Sequence, residues 1–297
     1  MPDSRPAQFR QIALSLFFLV IGNTVVCGHD LFLRPEAYKA EPGSTKKVLV
    51  FNGSFAESIN SVSVSVVDEL IRNGSAGIRS IPTGSWTETK TGTGFWRSFL
   101  KSYPANLKNT NSFDLKFSQP GSQVVGITLH ASRIAMEPEA FLNYLDTEVY
   151  TEINLADHGI VGTNDFVRER YIKMAKTIIQ VGDQVTNEVI KPLGQLAEIV
   201  PLTHPNLAKK GDQLKFQILL EGTPLAQQTV AVGRQQKTNH ETDEDRILLI
   251  SDETGTIEFP ITHTGVWWLK FIHIRRASDE DTMDFDSFWG SLTFEIN

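Results

Sequence analysis

Residues 214–220 read Leu-Lys-Phe-Gln-Ile-Leu-Leu, and the alternation of apolar and polar residues in this stretch indicates the fold class. Leu214, Phe216 and Ile218 point to one side and the polar residues between them to the other, as in a strand with one buried face. The same period-two pattern recurs, with Gly, Pro and Asn at its ends, at residues 48–51, 61–67, 113–117, 125–129, 257–261 and 266–274. The sequence therefore predicts a mainly β protein of two β-sandwich domains, immunoglobulin-like or transthyretin-like, with a helical segment between them.

The first 28 residues have the composition of a secretory signal peptide. Arg5 and Arg10 precede an apolar run at residues 12–21, and Val26 and Gly28 stand at positions −3 and −1 of a cleavage site. The run is too short for a transmembrane helix, which needs about 20 apolar residues. We therefore expect export to the periplasm after cleavage of a signal peptide.

Cleavage after Gly28 makes His29 the first residue of the exported protein. A terminal histidine offers its α-amine and its imidazole to one metal ion as a preformed chelate. Since Cys27 is the one cysteine of the chain and lies in the leader, the exported part has nitrogen, oxygen and thioether ligands. Imidazole suits nickel, cobalt, copper and zinc. The alternative is lipoprotein anchoring at Cys27, which places His29 third and removes its free amine.

The charge balance and the missing motifs exclude several classes of function. The formal net charge is −7, and removal of Asp3, Arg5 and Arg10 with the leader changes it to −8 (26 basic against 34 acidic residues). This charge disfavours nucleic acid as a partner. The chain has no G-x-S-x-G elbow, Walker loop or dinucleotide fingerprint, so we expect no enzymatic activity.

The predicted domain plan follows from a change of period near Met136. Residues 1–28 are the signal peptide, 29–135 an N-terminal β-sandwich domain, 136–194 a helical connecting segment, and 195–297 a C-terminal β-sandwich domain. Acidic residues around Pro138 predict a helix start there. An apolar stripe predicts a second helix from Phe166 to about Val189.

Two charged stretches are expected at the surface of these elements. On the second helix, ion pairs at spacings of three and four residues are expected among Arg168, Glu169, Arg170 and Lys176. The acidic run Ser278–Asp286 is interpreted as a solvated loop before a last strand at 291–295.

The exported part contains a series of short, different motifs. They are His29–Leu33, Phe141–Leu145, Arg168–Lys176, Glu198–Pro205, Leu214–Leu225, Thr242-Asp243 and Asp252–His273. Their order and spacing resemble the DUF4198 family, which is described as similar to the periplasmic components of nickel and cobalt uptake systems. The resemblance implies a metal ion as partner, together with a membrane metal permease or an outer-membrane receptor. It carries over His29 and His273 as candidate metal ligands.

None of the seven histidines forms an H-x-H or H-E-x-x-H motif, so a metal site must be assembled from distant segments. His273 shares its side of a strand with Trp267 and Phe271, so its ring is either a ligand or a buried, hydrogen-bonded group. The leading hypothesis is an exported binding protein for nickel or cobalt that assists metal uptake. Two alternatives stay open, a non-catalytic structural or interaction module of the cell envelope and a copper histidine-brace protein built on His29.

Overall fold

The computed structural model describes residues 29–87, 110–151, 153–160, 166–235, 246–278 and 282–297. Its strands are β1 (Asp30–Pro35), β2 (Lys39–Ala40), β3 (Thr45–Gly53), β4 (Ser58–Asn60), β5 (Val67–Gly74), β6 (Gly77–Ser80), β7 (Asn111–Lys116), β8 (Gly121–Leu129), β9 (Ser132–Met136), β10 (Val167–Val181), β11 (Ala197–Pro201), β12 (Gln213–Leu220), β13 (Thr223–Pro224), β14 (Thr229–Arg234), β15 (Ile247–Ile250), β16 (Thr256–Pro260), β17 (Gly265–Arg276) and β18 (Phe285–Ile296). Helix α1 (Pro138–Tyr144) continues into a π-helical turn, Leu145–Val149. Single 3₁₀ turns lie at Val64–Val66, Thr83–Ser85, Leu155–His158, Asn187–Ile190 and Pro205–Leu207.

The strands form three sheets. A ten-stranded sheet has the order β15-β14-β17-β18-β10-β8-β5-β6, with β2 and β9 also pairing with β10. A four-stranded sheet contains β1, β3, β4 and β7, and a second one contains β11, β12, β13 and β16. β10 and β18 run parallel, whereas β17 and β18 are antiparallel over twelve residue pairs. The ten-stranded sheet therefore connects strands from both halves of the chain.

The two small sheets cover opposite faces of the large one. Alternate residues of β10 show this, because Ala175 and Ile179 pack with the β1–β3–β7 side. Met174 and Ile178 pack instead with the β11–β12–β16 side. Helix α1 and the turn after it form a further apolar cluster with β17 and β18. The chain is thus a three-layer β structure, in which the central sheet is buried on both faces.

The prediction of a second helix at 166–189 is wrong. Residues 167–181 form β10, and its residues from Lys173 to Val181 are all buried. A strand covered on both faces has no polar side, so its apolar residues lose the period of two that identifies a half-buried strand. The apolar residues of this strand are also spaced as they would be on one face of a helix, which is why their pattern predicted a helix. The helical segment is confirmed only as the short helix α1 and the turns that follow it.

The expected ion pairs within that helix are also wrong, and the acidic run Ser278–Asp286 is only partly a solvated loop. Ser278 and Thr282 are exposed, residues 279–281 lie outside the described residues, and Asp284 and Asp286 pair with arginines of β10. Arg168 Nη2 lies 2.8 Å from Asp284 Oδ1, and Arg170 Nη2 lies 2.9 Å from Asp286 Oδ2. The last strand begins at Phe285 rather than near 291 and runs parallel to β10. The parallel pairing places the two arginines opposite the two aspartates, so these charges pair across strands, with the aspartates largely buried and the arginines partly exposed.

The remaining predictions concern a strand at 61–67, the fold class, the domain limits and the leader. The expected strand at 61–67 is wrong, because Val64 and Val66 lie in an exposed 3₁₀ turn. The mainly β fold class is confirmed. The domain limits at 135 and 195 stay predictions, and the leader lies outside the described residues.

In the part of the chain that is described, no helix has the length and hydropathy needed to cross a membrane.

Candidate functional site

His29 lies at the start of β1, over the central sheet. β1 runs antiparallel to β3 on one side. On the other side its carbonyl groups accept hydrogen bonds from the hydroxyls of Ser291 and Thr293 on β18, through Leu31 O and Leu33 O. The backbone carbonyl of His29 itself accepts a hydrogen bond from Lys173 Nζ of β10. The first described residue is therefore held in place by both its strand and the sheet below it.

A buried ionic cluster lies directly beside His29. Lys270 Nζ of β17 donates to Asp30 Oδ2 at 2.6 Å and to Glu148 Oε2 at 2.8 Å. The exposed fractions of these three side chains are only 6%, 12% and 11%. Burial alone lowers the pKa of Lys270, but the two carboxylates outweigh it and raise the pKa above its ordinary value. We call His29, Asp30, Glu148, Lys173 and Lys270 the N-terminal cluster.

Lys173 links this cluster to a second polar group on the same face of the sheet. Its ammonium lies 4.8 Å from the ring centroid of Trp289, a cation–π distance. Burial lowers the pKa of Lys173 to about 8, although the negative charges of Asp30 and Glu169 act to raise it. Glu169 is buried and accepts hydrogen bonds from the hydroxyls of Ser287 and Tyr144. These contacts fix the position of Lys173 below the start of β1.

The imidazole of His29 is partly exposed and is held in its neutral form. Partial burial lowers its pKa, the ammonium of Lys173 lowers it further, and the carboxylate of Glu148 opposes both. A neutral imidazole has a free lone pair, which metal binding requires. The nearby carboxylate attracts a cation, whereas the Lys173 ammonium repels one. The charge around the His29 ring therefore depends on the protonation of Lys173.

His273 does not lie in the N-terminal cluster. It is three residues from Lys270 on β17, so the two side chains point to opposite faces of the sheet. The core confirms this, since Leu269 and Phe271 pack on the β11–β12–β16 side. His273 Nδ1 lies 3.1 Å from Gln228 Oε1, and burial lowers the pKa of the ring. The two candidate ligands inferred from sequence are thus on opposite sides of the central sheet.

The other histidines have local partners or lie outside the described residues. His130 Nδ1 pairs with Asp68 at 3.3 Å, and His204 Nε2 lies 2.8 Å from the carbonyl oxygen of Thr186. His263 contacts the neighbouring Thr262, and the ring of His158 packs on Phe285. His240 lies outside the described residues. Within those residues, no group of three or more His, Cys, Asp and Glu side chains is arranged to hold a metal ion.

Sequence reasoning missed Glu148, Lys173 and Lys270. Lys270 carried a usable signal, because it is a lone charge in the apolar strand Val266–Ile274. A lysine in such a position is rarely buried unless it is paired. Glu148 carried no such signal, since its place depends on the π-helical turn Leu145–Val149. A single π-helical turn is rare and occurs often at functional sites.

The comparison with family models covers most of the chain. The chain belongs to the family described as "Domain of unknown function (DUF4198)", whose model matches residues 26–275. No curated protein matches the chain. The family assignment made from the motifs is confirmed, whereas its similarity to nickel and cobalt uptake components stays a prediction.

Several solved structures are similar to this chain at low identity. The D0-D1 domain of intimin is 11% identical, with 89% of this chain and 97% of that chain covered and a TM-score of 0.19. A DUF4785 family protein from Legionella pneumophila is 9% identical, with 80% and 50% covered and a TM-score of 0.23. The ectodomain of mouse nectin-like molecule 4 is 10% identical, with 88% and 62% covered and a TM-score of 0.21.

Proposed function

We propose that this protein is an exported periplasmic binding protein for a divalent transition metal ion, nickel or cobalt, with its site at the processed N-terminus. The observation that carries the proposal is the position of His29. Its imidazole is neutral, partly exposed and near Glu148, and its backbone is tied to the sheet by Lys173. Cleavage after Gly28 adds an α-amine to the same residue.

The donor set of such a site is nitrogen-rich. The α-amine and the ring of His29 close a chelate on one metal ion, and Glu148 supplies a nearby negative charge. These ligands suit nickel and cobalt as well as copper and zinc. The metal is cargo in this proposal, and a membrane permease or an outer-membrane receptor takes it onward. A metal-free protein that binds an envelope partner would support the alternative, a structural or interaction module.

The proposal is tested by titrating mature protein, which begins at His29, with Ni²⁺ and Co²⁺ in a calorimeter. We expect about one ion per chain, bound more tightly than about micromolar. His29→Ala should abolish this binding, and one alanine added before His29 should weaken it because the amine moves away. His263→Ala is the matched control, since that exposed ring lies within hydrogen-bond distance of its neighbour Thr262.

Two further measurements separate the alternatives. His273→Ala should leave the binding unchanged, because that ring is on the other face of the sheet. Intact-mass analysis of the exported protein should give the mass of residues 29–297. A lipid-modified mass beginning at Cys27, or equal metal binding by wild type and His29→Ala, would rule the proposal out.

A further inference from the structure

A pocket with two arginines lies at the β5–β6 end of the central sheet, separate from the N-terminal cluster. It has a volume of about 120 Å³ and is lined by the hairpin Arg72–Arg79, the turn residues Ser118 and Gln119, and Gln123 of β8. One water needs about 10–15 Å³, so the pocket is larger than the space for a single water molecule. We call it the arginine pocket.

The two arginines face each other without a carboxylate between them. Arg72 and Arg79 are directly opposite in the β5–β6 register. Like charges at such a position destabilise a hairpin. Arg72 Nη1 donates to the carbonyl oxygen of Lys116 at 2.8 Å. The Arg79 side chain is exposed and makes no ion pair or hydrogen bond with any described residue. No lining residue is acidic, although the whole chain has a net charge of −7.

The remaining walls are polar and neutral, and they are already ordered. Ser75 Oγ donates to Gln119 Oε1 at 2.9 Å, and Gln123 Nε2 donates to Gln119 O at 3.2 Å. A Cβ on Gly74 would lie 3.2 Å from the Gln123 side chain, so a glycine lets the hairpin close over this wall. The hydroxyl and amide groups are suited to bind the hydroxyls of a ligand. Guanidinium groups bind a carboxylate through paired hydrogen bonds.

We propose that the arginine pocket binds a small hydroxylated carboxylate, either a sugar acid or a free hydroxy acid. The carboxylate lies between Arg72 and Arg79 and removes their repulsion. The hydroxyl groups of the ligand bind the serine and glutamine side chains. This proposal is independent of the metal proposal, because none of its residues belongs to the N-terminal cluster.

The test is calorimetric titration of the metal-free protein with D-glucuronate, L-malate, D-glucose and inorganic phosphate. We expect saturable binding of glucuronate or malate, and the tighter of the two identifies the source of the carboxylate. Arg79→Gln should weaken it at least about tenfold, the loss of one charge-assisted interaction. This variant should fold normally, as circular dichroism can check, because the exposed side chain has no ion pair or hydrogen bond with a described residue to lose.

Arg133→Gln is the matched control, since Arg133 is exposed on β9 and does not line the pocket. It should bind as the wild type does. Binding of phosphate as tight as that of both acids would overturn the ligand class, and so would equal binding of glucose. An unchanged affinity in Arg79→Gln, or no binding of either acid, would overturn the site itself.

Discussion

Asp30 and Lys270 are 240 residues apart in the chain, and their side chains form a buried ion pair at 2.6 Å. The pair joins the first strand to β17 of the central sheet, and Glu148 binds the same ammonium from the π-helical turn. The first described residues are thereby bound to a strand that comes from the other half of the sequence. This connection is the basis of the first prediction.

Lys270→Met should lower the free energy of unfolding by about 3–5 kcal/mol, because it leaves the buried carboxylates of Asp30 and Glu148 facing each other without the ammonium. Urea denaturation measures the change. Lys39→Met is the control, since the Lys39–Asp183 pair is exposed (55% and 96%) and is worth at most about 1 kcal/mol. Equal losses in the two variants would contradict the buried pair.

Gly233→Ala should lower the free energy of unfolding by about 1–3 kcal/mol through overpacking. Gly233 is opposite Trp268 in the β14–β17 register, and a Cβ there would overlap the indole ring. That ring packs between Phe32 and Phe55, so it has little freedom to move. A Cβ at Gly84 would contact nothing, so Gly84→Ala should change stability by less than about 0.5 kcal/mol. A neutral Gly233→Ala would refute the close approach.

The pKa of Lys173 predicts a stability change at alkaline pH. In the folded protein burial lowers this pKa to about 8, whereas the unfolded chain keeps the ordinary value of 10.5. Between these values the unfolded chain holds the proton that the folded protein has lost, so stability rises with pH. Relative to Lys173→Met, the unfolding free energy of wild type should increase from pH 8 to 10, by at most about 1.4 kcal/mol per unit. Parallel curves for the two proteins would contradict this prediction.

The affinity of mature protein for Ni²⁺ should increase from pH 6 to pH 9. Burial lowers the pKa of the His29 ring below its ordinary value of 6.5, so the ring adds little to the trend above that pH. The α-amine loses its proton only near its ordinary pKa of about 7.7–8.0. Lys173 loses its proton at a pKa of about 8. Titrations at four pH values measure the trend. A chain with one alanine before His29 should show a shallower rise, and an affinity independent of pH would refute chelation by the amine.

Much of the fold was predictable where strands have one exposed face. The alternation at Leu214, Phe216 and Ile218 is found in β12, whose polar residues face outward. Prediction failed at β10, where both faces are buried and the period of two is lost. It failed again at Asp284 and Asp286, which are paired across strands with arginines. Those pairs depend on a parallel register that no local pattern encodes.

For the candidate site, sequence alone singled out His29 and assigned the family by the order of its motifs. The local chemistry of residue types and their period was sufficient for this and for the mainly β class. Only the tertiary structure placed Lys173, Lys270 and Glu148 beside His29 and put His273 on the opposite face of the sheet. The reason is physical, since contacts between residues up to 260 positions apart arise from sheet order and strand parity, which are decided when the three layers pack.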